Sequence, residues 1–346
     1  MQYGAIPTSL IERIALLAGA VPIPILDTMF GMLKARVIMA GVRLGVFEAL
    51  AAEPRTVNSL AATLALDESC LELLLRSLVY CGYVDWRGAE YTLSSLGRTT
   101  MINGAPKQMT GFVEWNYTQW QFAEHLETLV RTGRGVEFHS TLTDPNAWGH
   151  YQQAMLEGAR LDAPVVAKRV PVKKGAVKLL DLGGSHGLMG AAICRKHPPM
   201  RSTVIDLPAA LEHARTLAER AGITDIVDHR PGDLLGDDLD SQCDVVLLSN
   251  ILHHFSPDQI RQILTRAHHA LTADGTVAIW DLERPARDKY PSEGDGIALF
   301  FRLTSTAAAY SGHEYAGWLK DAGFERVTIN RPVLRPSTVL VHARRR

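Results

Sequence analysis

The sequence predicts an α/β protein: a doubly wound, mostly parallel sheet of seven strands, preceded by a mainly helical module with a winged-helix pattern. Three observations carry this. From residue 177 onward, short apolar runs alternate with stretches of helical spacing, the order that builds a parallel sheet covered on both faces. The first run, Val177 to Leu182, opens through Gly183, Gly184 and Gly187 into a helix from Leu188 to Arg195, which is the order of a ligand site. The last two runs, Glu325 to Ile329 and Thr338 to His342, are joined by too few residues for the crossover a parallel pair needs, so they must be antiparallel.

At 346 residues the chain exceeds what one hydrophobic core usually holds. The expected division is an N-terminal helical domain over 1–105, a helical connector over 106–170 and a sheet domain over 171–346. Hydrophobic residues make up 47% and charged residues 21%, an ordinary globular balance. Lys+Arg 36 stand against Asp+Glu 37, so neither nucleic acid nor an acidic surface is the expected partner. Cys70, Cys81, Cys194 and Cys243 are scattered without metal-ligand or disulfide spacing, which fits buried thiols in a reducing compartment. Leu10 to Leu33 is apolar but broken by Glu12, Arg13, Pro22, Pro24 and Asp27, a poor membrane span, and no basic-then-apolar leader precedes it. A cytoplasmic protein that binds no membrane is expected.

Residues before Pro22 read as a short amphipathic helix or arm. From Ile25 to Leu50, Met29, Leu33, Val37, Ala40, Leu44 and Phe47 recur every three or four places, while Met32, Ile38, Met39 and Val42 occupy the other faces. A helix apolar all round requires burial on every side, and a domain this small supplies that only with a partner, which points to a homodimer. Thr56 to Leu66, Asp67 to Leu78 and Tyr83 to Leu93 then give helix, helix and hairpin, with Asp67 as an N-cap and the turn at Arg87-Gly88. Many winged helices bind DNA, but residues 55–98 hold four basic against five acidic side chains, and the second helix presents leucines rather than cations. A non-catalytic regulator is therefore the weaker reading.

Pro106 marks a boundary. Met109 to Arg169 is helical and carries Phe112, Trp115, Tyr117, Trp120, Phe122, Phe138, Trp148 and Tyr151, most of them expected in a core. In the sheet half, a second strand from Ser202 to Ile205 ends at Asp206, near the ~20-residue spacing at which an acid reaches a bound nucleoside's ribose. Ala209 to Ala221 is a helix closed by Gly222. Ile226 to His229 is a third strand leading into Pro231-Gly232-Asp233-Leu234, where Asp233 reads as a ligand or as an Asx cap of its own turn. Cys243 to Ser249 and Gly275 to Asp281 are the fourth and fifth strands, with a helix from Pro257 to Leu271 between them, and Trp318 to Ala322 is a last helix. Ligands of such sheets bind beyond the carboxyl ends of the strands, and Asp181, Asp206, Asp233, His253 and Asp281 all fall there.

The loop Asp181-Leu182-Gly183-Gly184-Ser185-His186-Gly187 lacks both the dinucleotide fingerprint and the Lys-Ser/Thr ending of a P-loop. Together with Asp206-Leu207-Pro208, Gly232-Asp233 and Asn250-Ile251-Leu252-His253-His254-Phe255, it resembles the S-adenosylmethionine-dependent small-molecule O-methyltransferases of the caffeate, hydroxyindole and anthracycline type. The resemblance runs from about Leu33 to the C-terminus and implies a class I methyltransferase fold in which the winged-helix module is a dimerisation domain. It implies that Asp181, Gly183, Gly184, Ser185, Asp206, Leu207, Asp233, Leu234 and Ser249 hold S-adenosyl-L-methionine. It further implies that His253 is the general base oriented by Asp281, and that the connector walls the acceptor pocket with Trp115, Asn116, Trp120, Trp148 and Met155, beside His254. A histidine of ordinary pKa ~6.5 suits the removal of a proton from a phenol of pKa ~10.

Two departures stand out against that family. Ser185 and His186 replace a glycine-rich filling of the loop, and the second acid, which in that family precedes an Arg-Thr pair before the last helix, is missing where this chain reads Ala307-Ala308-Ala309-Tyr310-Ser311. No metal is expected. Methylation of carbon or nitrogen on the same fold, with or without a metal at His253, His254 or His313, stays open as the alternative.

Overall fold

A computed structural model of the chain describes residues 4–136, 145–239, 241–285, 290–305, 307–333, 335 and 337–346, with the side chains of 145 and 146 left aside. Phe138, expected among the core aromatics, lies outside the described residues. The chain divides into two units, Met1–Tyr117 and Thr118–Arg346.

The first unit begins with α1 (Leu10–Leu17), none of whose residues is buried. A short turn, Ile23–Ile25, and a π-helix, Leu26–Phe30, run on into α2 (Gly31–Arg43), and α3 (Val46–Ala49) follows. The apolar period between Ile25 and Leu50 thus forms helix as expected, but Gly45 at φ +72 interrupts it, a backbone state that glycine adopts without strain. Then come β1 (Arg55–Thr56), α4 (Val57–Leu64), α5 (Glu68–Tyr80), β2 (Val84–Arg87), β3 (Glu90–Leu93) and α6 (Ser95–Thr100). Thr56 accepts from the Ser59 N–H and Asp67 from the Cys70 N–H, capping α4 and α5. The strands form an antiparallel sheet in the order β1-β3-β2. β1 was not foreseen, because two residues carry no period. Phe47, Leu50, Leu60, Leu71, Leu75 and Leu78 make the buried interior, whereas Met29, Phe30, Met32 and Leu33 remain about half exposed.

α7 (Thr110–Ala123) carries the chain into the second unit, which adds α8 (Leu126–Thr132) and α9 (Pro145–Arg169) before its sheet begins. The strands β4 (Lys178–Leu182), β5 (Arg201–Asp206), β6 (Val227–Pro231), β7 (Cys243–Ser249) and β8 (Leu271–Leu282) pair in parallel. β9 (Glu325–Asn330) and β10 (Thr338–Arg344) complete the order β6-β5-β4-β7-β8-β10-β9, with β10 antiparallel to both neighbours. The helices α10 (Leu188–Lys196), α11 (Pro208–Arg220), α12 (Pro257–Ala270), α13 (Glu293–Thr304) and α14 (Gly312–Asp321) complete the unit.

Alternation along the strands sorts the core onto two faces. Leu179, Val245, Leu247 and Trp280 pack with Ala163 and Val166 of α9, while Leu180, Val246 and Leu248 pack with Ile260, Leu264 and Leu319 of α12 and α14. α9 is tied down by polar contacts as well: Trp280 Nε1 donates to Asp162, which also pairs with Arg335 at 2.6 Å. Two boundaries depart from expectation. α14 starts at Gly312 rather than near Trp318, because Ser311 and Glu314 form a reciprocal capping box. α13, which the apolar pattern did not reveal, is fixed by a similar box from Ser292 and Asp295. Among the described residues no helix is long and apolar enough to cross a membrane.

Candidate active site

Two loops at the carboxyl ends of the parallel strands carry the expected residues. The first leaves β4 through Gly183 (φ +67), Gly184, Ser185 (φ +49) and Gly187 (φ +77) into α10. A Cβ on Gly184 would lie 2.4 Å from the Asp181 carboxyl carbon, and one on Gly183 would lie 2.5 Å from Ile251, so neither position accepts a side chain without displacement. Asp181 beneath them is wholly buried, and neither of its oxygens makes a well-formed hydrogen bond among the described residues, although the Gly190 backbone favours its charged form. Burial pushes its carboxyl up to about 7, the Gly190 backbone offsets part of that rise, and the charge of Asp206 adds to it.

Asp206 ends β5 and accepts from the Ser185 N–H at 2.9 Å and the Leu207 N–H at 2.8 Å. Burial raises its pKa, and these two donors hold the rise back. Leu207 beside it is half exposed. The two departures in this loop act as anchors. The Ser185 hydroxyl bonds Gln152 of α9, and its carbonyl meets His229 Nε2 at 3.1 Å. His186 accepts from the Leu188 N–H at Nδ1, which leaves its proton on Nε2 toward the Met155 backbone, and burial lowers its pKa to about 4, so it stays neutral.

Asp233 caps its own turn by accepting from the Leu235 N–H at 2.9 Å, on an exposed bend. Leu234 points inward and joins the core with Leu182 and Leu248. Ser249 ends β7, buried, next to Asn250 at φ +51, whose N–H donates to Trp280.

The second loop, Asn250 to Phe255, carries the histidines. His253 is 3% exposed, and its Nδ1 lies 2.5 Å from Asp281 Oδ1. Asp281 also accepts from the N–H groups of Leu252 and Leu282 at 3.0 and 2.8 Å. Donors converging from three sides fit an ionised carboxylate, so we assign the histidine proton to Nδ1, leaving the Nε2 lone pair as the reactive one. His254 and Phe301 of α13 lie against the imidazole, with ring centroids 4.2 and 4.1 Å away. Ser305 Oγ donates to the His253 carbonyl at 3.5 Å, and Tyr310 donates to that of Phe255 at 2.8 Å. Ala307 and Ala309 are buried apolar positions where a second acid was looked for.

Of the residues assigned to an acceptor wall, Trp148 and Met155 share a face of α9 with Gln152, which bonds Ser185 of the glycine loop. Trp148 packs edge-on against Tyr151 at 5.7 Å, and the Tyr151 phenol is driven well above its usual range by burial and then by the charge of Asp206. Trp120 is partly buried in the same unit, whereas Trp115, buried, and Asn116 belong to the first unit. Sequence reasoning missed Gln152 and the placement of Tyr151 beside Asp206. The signal was available: Trp148, Tyr151, Gln152 and Met155 are spaced to share one helical face. Phe301 and Ser305 had no such signal, since their helix was not recognised.

Comparison with known proteins identifies the family and the fold. Residues 115–325 match the family model of the O-methyltransferase domain, and residues 26–103 match that of the O-methyltransferase dimerisation domain. A 3-hydroxy-5-methyl-1-naphthoate 3-O-methyltransferase of Streptomyces sahachiroi is 28% identical over 88% of this chain and 90% of its own. An N,N-dimethyltransferase, OxyT of Streptomyces rimosus, is 26% identical over 84% of this chain and 87% of its own. In fold, the crystal structure of human N-acetylserotonin methyltransferase in complex with SAM superposes with a TM-score of 0.83, covering 98% of this chain and 99% of that one at 20% identity.

Proposed function

The chain belongs to the O-methyltransferase family, and from that premise we propose that it methylates a hydroxyl of a small aromatic metabolite, with S-adenosylmethionine as donor and His253 as general base. The observation that carries the reading is the Asp281–His253 pair at 2.5 Å in a buried loop next to the glycine turn. The donor's sulfonium supplies an already electrophilic methyl group.

The first loop fits such a donor: its glycines leave the backbone bare, Asp181 makes no well-formed hydrogen bond among the described residues, and Asp206 has acceptor capacity beyond its two N–H contacts. Asp181, Gly183, Gly184, Ser185, Asp206, Leu207 and Ser249 would hold it, with Asp233 and Leu234 at the far side. At the second loop, Asp281 fixes the imidazole with Nδ1 protonated, and Nε2 takes the acceptor's proton as the oxygen becomes a nucleophile. Asp281 stabilises the imidazolium that results. Trp148 and Met155, with Trp120 and His254 of the same unit, would hold the acceptor and keep water out.

The half-exposed methionines and leucines of the first unit and its match to a dimerisation domain support a homodimer with an interface above about 2,000 Å² of total area. Sedimentation at micromolar concentration is expected to show dimers, and a stable monomer would contradict this. The reading takes the protein to be cytoplasmic, without nucleic-acid partners, and divided at 105 and 170. The relative that is an N,N-dimethyltransferase favours nitrogen as the second reading. Incubation with methyl-labelled donor and matched panels of phenols and arylamines separates them: methyl ethers are expected, and N-methylation alone would overturn the proposal.

A further inference from the structure

Tyr315 lies on α14, in neither of the two loops. Its side chain is wholly buried, and among the described residues its hydroxyl has no hydrogen bond of good geometry. A buried hydroxyl without a partner is costly, and core positions that need only a ring are filled by phenylalanine. The ring is fixed edge-on against Tyr310 at 6.0 Å and Trp318 at 5.8 Å, so the hydroxyl cannot swing away to another partner. Tyr315 packs in one cluster with Val277 and Ile279 of β8, and alternation along that strand puts Asp281 on the same face; after burial itself, the Asp281 carboxylate is the neighbour that most raises the Tyr315 pKa.

Asp281 has room for one more donor. A carboxylate offers about four acceptor positions. Among the described residues, Oδ1 takes His253 Nδ1 and the Leu282 N–H, while Oδ2 takes the Leu252 N–H alone. We infer that Tyr315 is a positioning residue for the base, its hydroxyl supplying the remaining donor to Asp281 and so fixing how strongly that carboxylate holds His253.

Among the described residues, the groups that face the pair are His254 from the same loop, Phe301 from α13, Ser305 just beyond its end, and Tyr315 from α14. Each donor to Asp281 draws negative charge away from the imidazole. Tyr315 therefore tempers the attraction between Asp281 and the imidazole of His253. The inference rests on the reading of His253 as base only for its effect on turnover, because the imidazole's titration can be followed without any acceptor.

The test is the titration of His253 by NMR in histidine-labelled protein, its resonance identified by its loss in His253→Ala. Tyr315→Phe removes the donor and keeps the ring, and the midpoint is expected to rise by roughly half a unit or more. Placing 3-fluorotyrosine at Tyr315 leaves the shape nearly unchanged and strengthens the donor, and the midpoint is expected to fall. This second form also serves if Tyr315→Phe does not fold. A midpoint that stays put or moves the other way in either form overturns the inference, even if the melting temperature drops, because packing alone would lower stability without touching the titration. A protein inactive on every acceptor would count against the methyl-transfer proposal and leave this test intact.

Discussion

Asp181 and Asp281 end neighbouring parts of the same sheet, both at 0% exposure, and they are equipped in opposite ways. Two backbone N–H groups and the histidine Nδ1 converge on Asp281. Asp181 lies under bare glycine backbone with neither oxygen in a well-formed hydrogen bond among the described residues, and burial lifts its pKa to about 7. Two carboxylates buried to the same degree are thus met by different sets of donors. The base loop is complete in the protein by itself, whereas the glycine loop is built with polar capacity to spare.

That contrast is open to challenge by substitution. The largest effect is expected at Asp281. Asp281→Asn removes the charge that orients and steadies the imidazole, and turnover is expected to fall by ~10²-fold or more with little change in binding of S-adenosylhomocysteine. Equal losses in both would mean that the two loops are not separate in function. Next comes Asp206→Ala, which is expected to weaken binding of that product by about 1.5–3 kcal/mol, the range for a hydrogen bond to a charged group. Calorimetry reads this directly, and unchanged affinity would remove Asp206 from the donor site.

The smallest effect is expected in the pH dependence of stability, at Asp181. Its folded pKa, about 7, lies above its ordinary value of 3.8, so between those values the folded state holds a proton that the unfolded state has lost. Stability therefore falls as pH rises through that window, and it levels off above it. Asp181→Asn carries no charge to bury and is expected to flatten the decline, with a melting temperature above wild type at pH 8 and closer to it at pH 4. An identical pH dependence in both proteins would show that Asp181 is ionised and partnered in solution.

Much of this was legible in the sequence, unevenly. Buried parallel strands write themselves as apolar runs, so Cys243–Ser249 was read to the residue, and the antiparallel end followed from a connection too short to cross over. Acids at strand ends were visible for the same reason: position along a buried strand fixes which end faces the ligand. Asp281 and His253 could be paired in advance only through the resemblance, because the distance between them in the chain says nothing of their contact.

What stayed hidden depends on side-chain capture across the fold. Gln152 reaches Ser185 from a helix 33 residues upstream, and Phe301 meets His253 from a helix whose start is set by a capping box rather than by an apolar period. The Ser311 and Glu314 box that begins α14 was likewise overlooked in favour of the apolar residues after it. Ser185 and His186, read as departures from a family pattern, are anchors of the loop, which no spacing rule would show.

The central claim is that His253 takes the acceptor's proton, and turnover of His253→Ala across pH, with binding of S-adenosylhomocysteine measured alongside, tests it most directly. The account predicts a loss of ~10²–10⁴-fold near neutral pH with product affinity nearly intact, a smaller loss for His254→Ala, and a deficit that shrinks as pH passes the acceptor's own pKa. Equal turnover of His253→Ala and wild type at every pH would contradict it.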